Sequence, residues 1–178
     1  MPFGKRGQLP SIAVCAAGAL FAAAWAHPAR ADESVISQPG RHPDYTFEAE
    51  PHVFFGLDPP GKSVGQGWGP GFRGTIEIID NGFVQTINNT IGIGFGVDWF
   101  AFGNDKTALW VPLVMQWNFW LSRNWSVFGE PGGGIYLGNS TGFRGAFYGG
   151  ARFHIFEKLA ITARVGYPTF SLGASFVF

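Results

Sequence analysis

The sequence predicts an all-β protein: an eight-stranded antiparallel up-and-down transmembrane β-barrel, preceded by a cleaved signal peptide. Three observations carry this. Apolar residues alternate with period two in segments of about ten residues, separated by turn residues, and no stretch shows a helical period. The segments number about eight, an even count, as single-chain membrane barrels require. Charged residues make up only 13% of the chain and aromatics 17%, whereas ordinary globular domains carry roughly 25% charged residues. Such a chain has much apolar surface and few charges to cover it.

The N-terminus stands apart. Lys5 and Arg6 precede an apolar run from Ile12 to Ala26, and Ala29-Arg30-Ala31 supplies a small-x-small cleavage site, the pattern of a secretory signal peptide over residues 1–31. The run is short of the roughly twenty apolar residues a membrane-spanning helix needs. Cys15, the one cysteine, leaves with that peptide, which removes disulfides, thiolate metal sites and a cysteine nucleophile from the mature chain. Residues 32–44 are polar with Pro39, Gly40 and Pro43 and read as a flexible lead-in. The barrel domain is expected over 45–178.

Ala108–Leu121 shows the alternation best. Leu109, Val111, Leu113, Met115, Trp117, Phe119 and Leu121 share one face, and Ala108, Trp110, Pro112, Val114, Gln116, Asn118 and Trp120 lie on the other. At about 3.3 Å per residue this segment crosses a hydrocarbon core when tilted. Pro112 cannot donate to a ladder and suggests a bulge there. Tyr45–Leu57, Phe72–Ile79, Thr90–Phe102, Trp125–Leu137, Phe143–Phe156, Leu159–Tyr167 and Thr169–Phe178 complete the set. Ser122-Arg123-Asn124 and Glu157-Lys158 read as tight turns, and Asp58–Pro70, with Trp68, as the longest loop. Ile79–Asn89 is long for a turn, which suggests that the second strand extends through Phe83 or Val84.

Alternation alone does not say which face meets lipid, since a soluble barrel or sandwich gives the same pattern. Lysine usage separates the two. Lys62, Lys106 and Lys158, the lysines beyond residue 31, all fall in loops or turns, whereas water-facing strands carry lysine throughout. The polar face therefore reads as a lumen. It holds Glu48, Glu50, Glu77, Asp98 and Glu130 against Arg73, Arg144, Arg152 and Arg164, with His52 and His154. Near-balance of sign is what a poorly solvated interior demands, and arginine's planar fork suits several partners at once. The plain reading is a salt-bridged plug that sets strand register; the functional one is a polar conduit or ligand site. One pairing is sharp. If Gly138 pairs with Gly142, Glu130 lies opposite Gly150, and a three-residue turn at Phe156–Lys158 puts Arg164 on the other flank of Gly150, where the two side chains can meet.

Gly92-x-Gly94-x-Gly96 lacks a strand–loop–helix context and reads as lumen clearance. Gly132-Gly133-Gly134 reads as a bend. Trp99, Trp117, Trp125 and Tyr167 fall on the apolar face near strand ends, as interfacial aromatic girdles do. Zero formal net charge gives nucleic acid no electrostatic footing. The isolated histidines offer no metal spacing, and no cofactor is expected.

The last eight residues end Ser171-Leu172-Gly173-Ala174-Ser175-Phe176-Val177-Phe178. Ser171, Gly173, Phe176 and Phe178 resemble the β-signal of bacterial outer-membrane proteins: a polar residue, Gly two later, then aromatics at the antepenultimate and final places. From Tyr45 onward the chain resembles small bacterial outer-membrane β-barrel proteins of the OmpA and OmpX general type. The resemblance implies an integral protein of a Gram-negative outer membrane, a monomer. It also implies dealings with the secretion translocon, periplasmic chaperones and the outer-membrane assembly complex that would recognise Phe178. Barrels of this size have lumens just filled by side chains, so a structural or surface-exposed role without catalysis is expected. The alternatives are a narrow porin-like conduit for small or hydrophobic solutes and a lipid A-modifying enzyme. Neither His52 nor His154 is followed by the His-x-Ser arrangement of the lipid A deacylase type.

Overall fold

The computed structural model describes residues 33–56, 67–102, 106–138 and 141–178. Residues 1–31, read as a signal peptide, and most of the long loop from Asp58 fall outside the described residues. Eight strands follow one another: β1 (Phe47–Gly56), β2 (Gly67–Ile79), β3 (Asn89–Phe102), β4 (Thr107–Trp120), β5 (Trp125–Leu137), β6 (Gly142–Phe156), β7 (Leu159–Tyr167) and β8 (Thr169–Val177). Each pairs antiparallel with its sequence neighbour, and β8 pairs with β1, so the sheet closes into a barrel. Closure leaves no edge with unpaired backbone groups.

Burial is inverted relative to a water-soluble protein. Glu48, Glu50, Asp98, Glu130, Arg73, Arg152 and Arg164 are at most 1% exposed, while Leu113, Phe147 and Phe143 are 62%, 61% and 75% exposed. Odd-numbered positions of β4 point outward and even-numbered ones inward along its whole length. Pleating allows this only if the register never slips by one residue. The register indeed carries straight across Pro112, which pairs with Gly134, and across Gly132–Gly134. The bulge expected at Pro112 is absent. The sheet's irregularities lie instead at Glu77–Ile79 and His154–Phe156, next to the turns at the end of the barrel that holds the C-terminus.

Three boundaries differ from the sequence reading. Trp68, placed in the long loop, lies on β2 and faces outward, 62% exposed; β1 and β2 pair as far as Phe55 and Trp68. The second strand does not reach Phe83. It ends at Ile79, and residues 80–88 turn back, with Gly82 N–H donating to the Asn89 carbonyl at 2.8 Å. The residues before the barrel are also not a free lead-in. Residues 33–46 run across the terminal end as a strap. Val35 N–H donates to Leu121 O at 3.1 Å, Asn88 N–H to Ile36 O at 2.7 Å, and Thr46 N–H to Phe178 O at 2.8 Å. Val35 and Tyr45 are buried with Trp120 and Val177, and His42 stacks on the Trp120 ring with centroids 5.8 Å apart. Burial raises the Tyr45 phenol above its ordinary range, despite the opposing pull of Arg152, so the ring plugs this end as a neutral group.

The lumen is filled in two layers. Toward the loop end, Phe54, Phe100, Phe102, Trp110, Val114, Tyr136 and Tyr148 form an apolar cluster. Toward the terminal end the interior is polar and charged. Sequence alternation places both sets inward but does not separate them by height.

Candidate functional site: the charged lumen

Arg164 on β7 is the hub. Its Nη1 and Nη2 donate to Glu50 Oε1 and Oε2 at 2.7 and 3.0 Å, while Nε and Nη2 donate to Glu130 Oε2 and Oε1 at 2.9 and 3.3 Å. Nη1 also reaches Ser171 Oγ at 3.4 Å, and Gln116 Nε2 donates to Glu130 Oε1 at 2.9 Å. Two carboxylates thus receive one guanidinium in paired fashion, a geometry lysine cannot provide. β1, β4, β5, β7 and β8 meet at this one group.

The Glu130–Arg164 contact expected from the sequence is present, but its route differs. Gly150 does pair with Arg164, yet it faces Phe128, and Glu130 pairs with Tyr148. The β5–β6 register is offset by two residues from the expected one, which keeps every side chain on its face. The turn before β7 is Glu157-Lys158, and the bulge between His154 and Phe156 supplies the remaining offset. Glycine at 150 makes room for the Phe128 ring rather than for the ion pair: a Cβ there would lie 2.2 Å from Phe128 Cζ. That ring is in turn covered by two guanidiniums, Arg152 at 4.9 Å and Arg164 at 5.2 Å from its centroid, a favourable cation–π arrangement.

Two further groups flank the hub. On the loop side, His52 Nε2 lies 2.9 Å from Asp98 Oδ1, and Arg73 Nη2 lies 3.6 Å from Asp98 Oδ2. Arg73 also sits 5.2 Å over the Tyr148 ring, whose hydroxyl accepts from Trp110 Nε1 at 3.0 Å. At Gly96 a Cβ would lie 2.4 Å from the Phe72 carbonyl oxygen and 3.1 Å from Arg73 Nε. On the terminal side, Arg152 Nη2 pairs with Glu48 Oε2 at 2.8 Å.

Two residues assigned to the network from sequence are not in it. Arg144 has inward parity but is exposed at the loop end, two residues beyond Ala146 of the apolar cluster, so it has no ion-pair partner among the described residues. Glu77 lies at the opposite end, half-buried, beside a recess it shares with Asp44, Asp80 and Phe178. Among the described residues it has no basic partner. Both losses arise because strand ends rise past the filled part of the lumen. Gln116, Ser171 and Phe128, by contrast, belong to the hub without having been counted in it.

Three of the four aromatics singled out from the sequence are exposed on the outer face. Trp99, Trp125 and Tyr167 are 56%, 48% and 42% exposed. Trp117 is half-buried because Phe83 packs edge-on against it at 5.5 Å, and its indole donates to Asn89 Oδ1 at 2.9 Å. At the chain end, Ser171 faces inward, Phe176 and Phe178 face outward, and Phe178 packs 6.4 Å from Phe47.

No protein-family pattern and no curated relative matches this chain. Among solved structures it is similar to the outer membrane protein Ail of Yersinia pestis, whose backbone was determined in a phospholipid bilayer nanodisc. The likeness covers 76% of this chain and 100% of that one at 15% identity, with a TM-score of 0.49. The barrel's closure and its inverted burial stand on this chain's own geometry.

Proposed function

We propose that this chain is an integral β-barrel protein of a Gram-negative outer membrane, with a side-chain-filled lumen and a structural or surface-exposed role without catalysis. One observation carries the reading: a band of outward phenylalanine, leucine, isoleucine and valine encloses fully buried arginines and carboxylates. In water this arrangement exposes the wrong face; in lipid it satisfies both. The outward tryptophans and Tyr167 suit the two headgroup levels. With the N-terminal 31 residues acting as a cleaved export signal, the strap and Phe178 face the periplasm. Phe176 and Phe178, outward on the closing strand, are then placed for the assembly complex.

A lumen without a through-path is supported by the apolar cluster of Phe54, Phe100, Trp110 and Tyr148 across the loop half, with the Arg164 hub beneath it. The non-catalytic part of the reading is drawn from the same filled lumen, in which His52 and Asp98 are both buried. Planar-bilayer recording tests the sealed lumen. The refolded protein is expected to insert without conductance steps; reproducible single-channel steps would favour the conduit instead.

A further inference from the structure

One turn at the terminal end differs from its neighbours. The β4–β5 and β6–β7 turns are short and carry the exposed charges Arg123, Glu157 and Lys158. The β2–β3 connection is longer, and residues 81–88 hold no ionisable side chain. Its tip exposes Phe83 by 63% and Val84 by 37%. Single exposed apolar residues are ordinary in water, but the place of this pair is not. Phe83 packs edge-on against Trp117, with ring centroids 5.5 Å apart, and Trp117 has the outward parity of β4. Phe83 therefore reaches back over the apolar outer wall of the barrel.

Asn89 holds the turn there. Its Nδ2 donates to the Val84 and Ile87 carbonyls, both at 2.8 Å, and its Oδ1 accepts from the Trp117 indole at 2.9 Å. Gly82 N–H donates to the Asn89 carbonyl at 2.8 Å, and Ile87 N–H to that of Val84 at 3.2 Å. Asn89 is itself fully buried. Glycine at 82 permits the close approach, since a Cβ there would overlap Asn89 Oδ1. Backbone groups beside hydrocarbon must find partners within the protein, and Asn89 supplies them. The Trp117 indole ordinarily seeks water or a headgroup; here its partner is also internal.

We propose that the β2–β3 turn is a membrane foot: Phe83 and Val84 insert into the leaflet at the C-terminal end of the barrel, and Asn89 clamps them to the wall. The partner is the acyl-chain margin of a phospholipid bilayer. Continuity selects it, because Phe83 extends the apolar surface formed by Trp117 and by Phe119, whose ring lies 4.8 Å from that of Trp117. The absence of charge over residues 81–88 removes the cost of carrying an ion to that depth. Interfacial girdles are borne by strands; here a connection between strands reaches the lipid. Insertion presupposes the outer-membrane reading, so a mid-wall reference at Leu113 keeps the two apart.

Paramagnetic broadening of backbone amide signals, followed by NMR on the unaltered protein in phosphatidylcholine nanodiscs, tests it. With a doxyl-labelled phosphatidylcholine, the Phe83 and Val84 amides are expected to lose intensity, as Leu113 does. A soluble gadolinium chelate is expected to broaden Ser37, exposed on the strap, and to spare Phe83. Loss of the Phe83 signal to gadolinium but not to the lipid label, with Leu113 still reporting lipid, would overturn the foot alone. Leu113 reporting water would overturn the outer-membrane reading and the foot with it. Gly82→Ala tests the clamp. It is expected to move Phe83 from the lipid label to gadolinium while Leu113 is unchanged; a Phe83 signal that stays with the lipid label would contradict a turn held by Asn89.

Discussion

Arg164→Ala is expected to destabilise the barrel by about 3–5 kcal/mol, the range for removing one partner of a buried ion pair. The cost arises less from the lost bonds than from what remains. Glu50 and Glu130 are both at most 1% exposed, and without the guanidinium two carboxylates face each other in a low-dielectric interior. Urea unfolding in lipid vesicles, followed by tryptophan fluorescence, measures it as a lower midpoint. Combining Arg164→Met with Glu50→Gln and Glu130→Gln is expected to recover most of the loss, because neutral groups of similar volume leave no charge unpaired. A loss below about 1 kcal/mol from Arg164→Ala would mean that water reaches the hub and screens it as it screens a surface pair.

Leu113→Arg is expected to cost about 2–4 kcal/mol in a bilayer, the value for an arginine at mid-depth on the lipid face of a barrel. Leu113 sits near the middle of β4 and is 62% exposed. In a soluble protein a substitution at so exposed a position shifts stability by less than about 0.5 kcal/mol. Arg144→Leu supplies the contrast: exposed at the loop end and unpaired among the described residues, it is expected to be near neutral. Equal, small effects at both positions would place Leu113 in water.

Much of the barrel is legible in the sequence because period two has a single geometric meaning. Once Leu109 to Leu121 are seen to alternate, the strand, its two faces and its length follow from the pleat. The ionic partners were half legible. Charge identity and parity selected Glu50, Glu130 and Arg164, but Gln116 and Ser171 are ordinary polar residues until the register places them beside a carboxylate and a guanidinium. The β5–β6 register itself depends on Phe128 filling the space over Gly150, a packing choice that no turn rule encodes. Height was the least legible coordinate. Parity gives Arg144 and Glu77 the same inward label as Arg152, yet both lie where strands outrun the filled lumen. The strap was hidden for a related reason: Val35 and Tyr45 are isolated apolar residues in a polar stretch, and their partners Trp120 and Val177 are far away in sequence.

Cell fractionation combined with gel mobility tests the central claim most directly. The chain is predicted to sediment with outer membranes, to require detergent for extraction, and to migrate faster unheated than boiled, since a closed barrel resists detergent until heat opens it. Recovery as a soluble periplasmic protein, with one mobility before and after boiling, would contradict a barrel whose apolar face meets lipid.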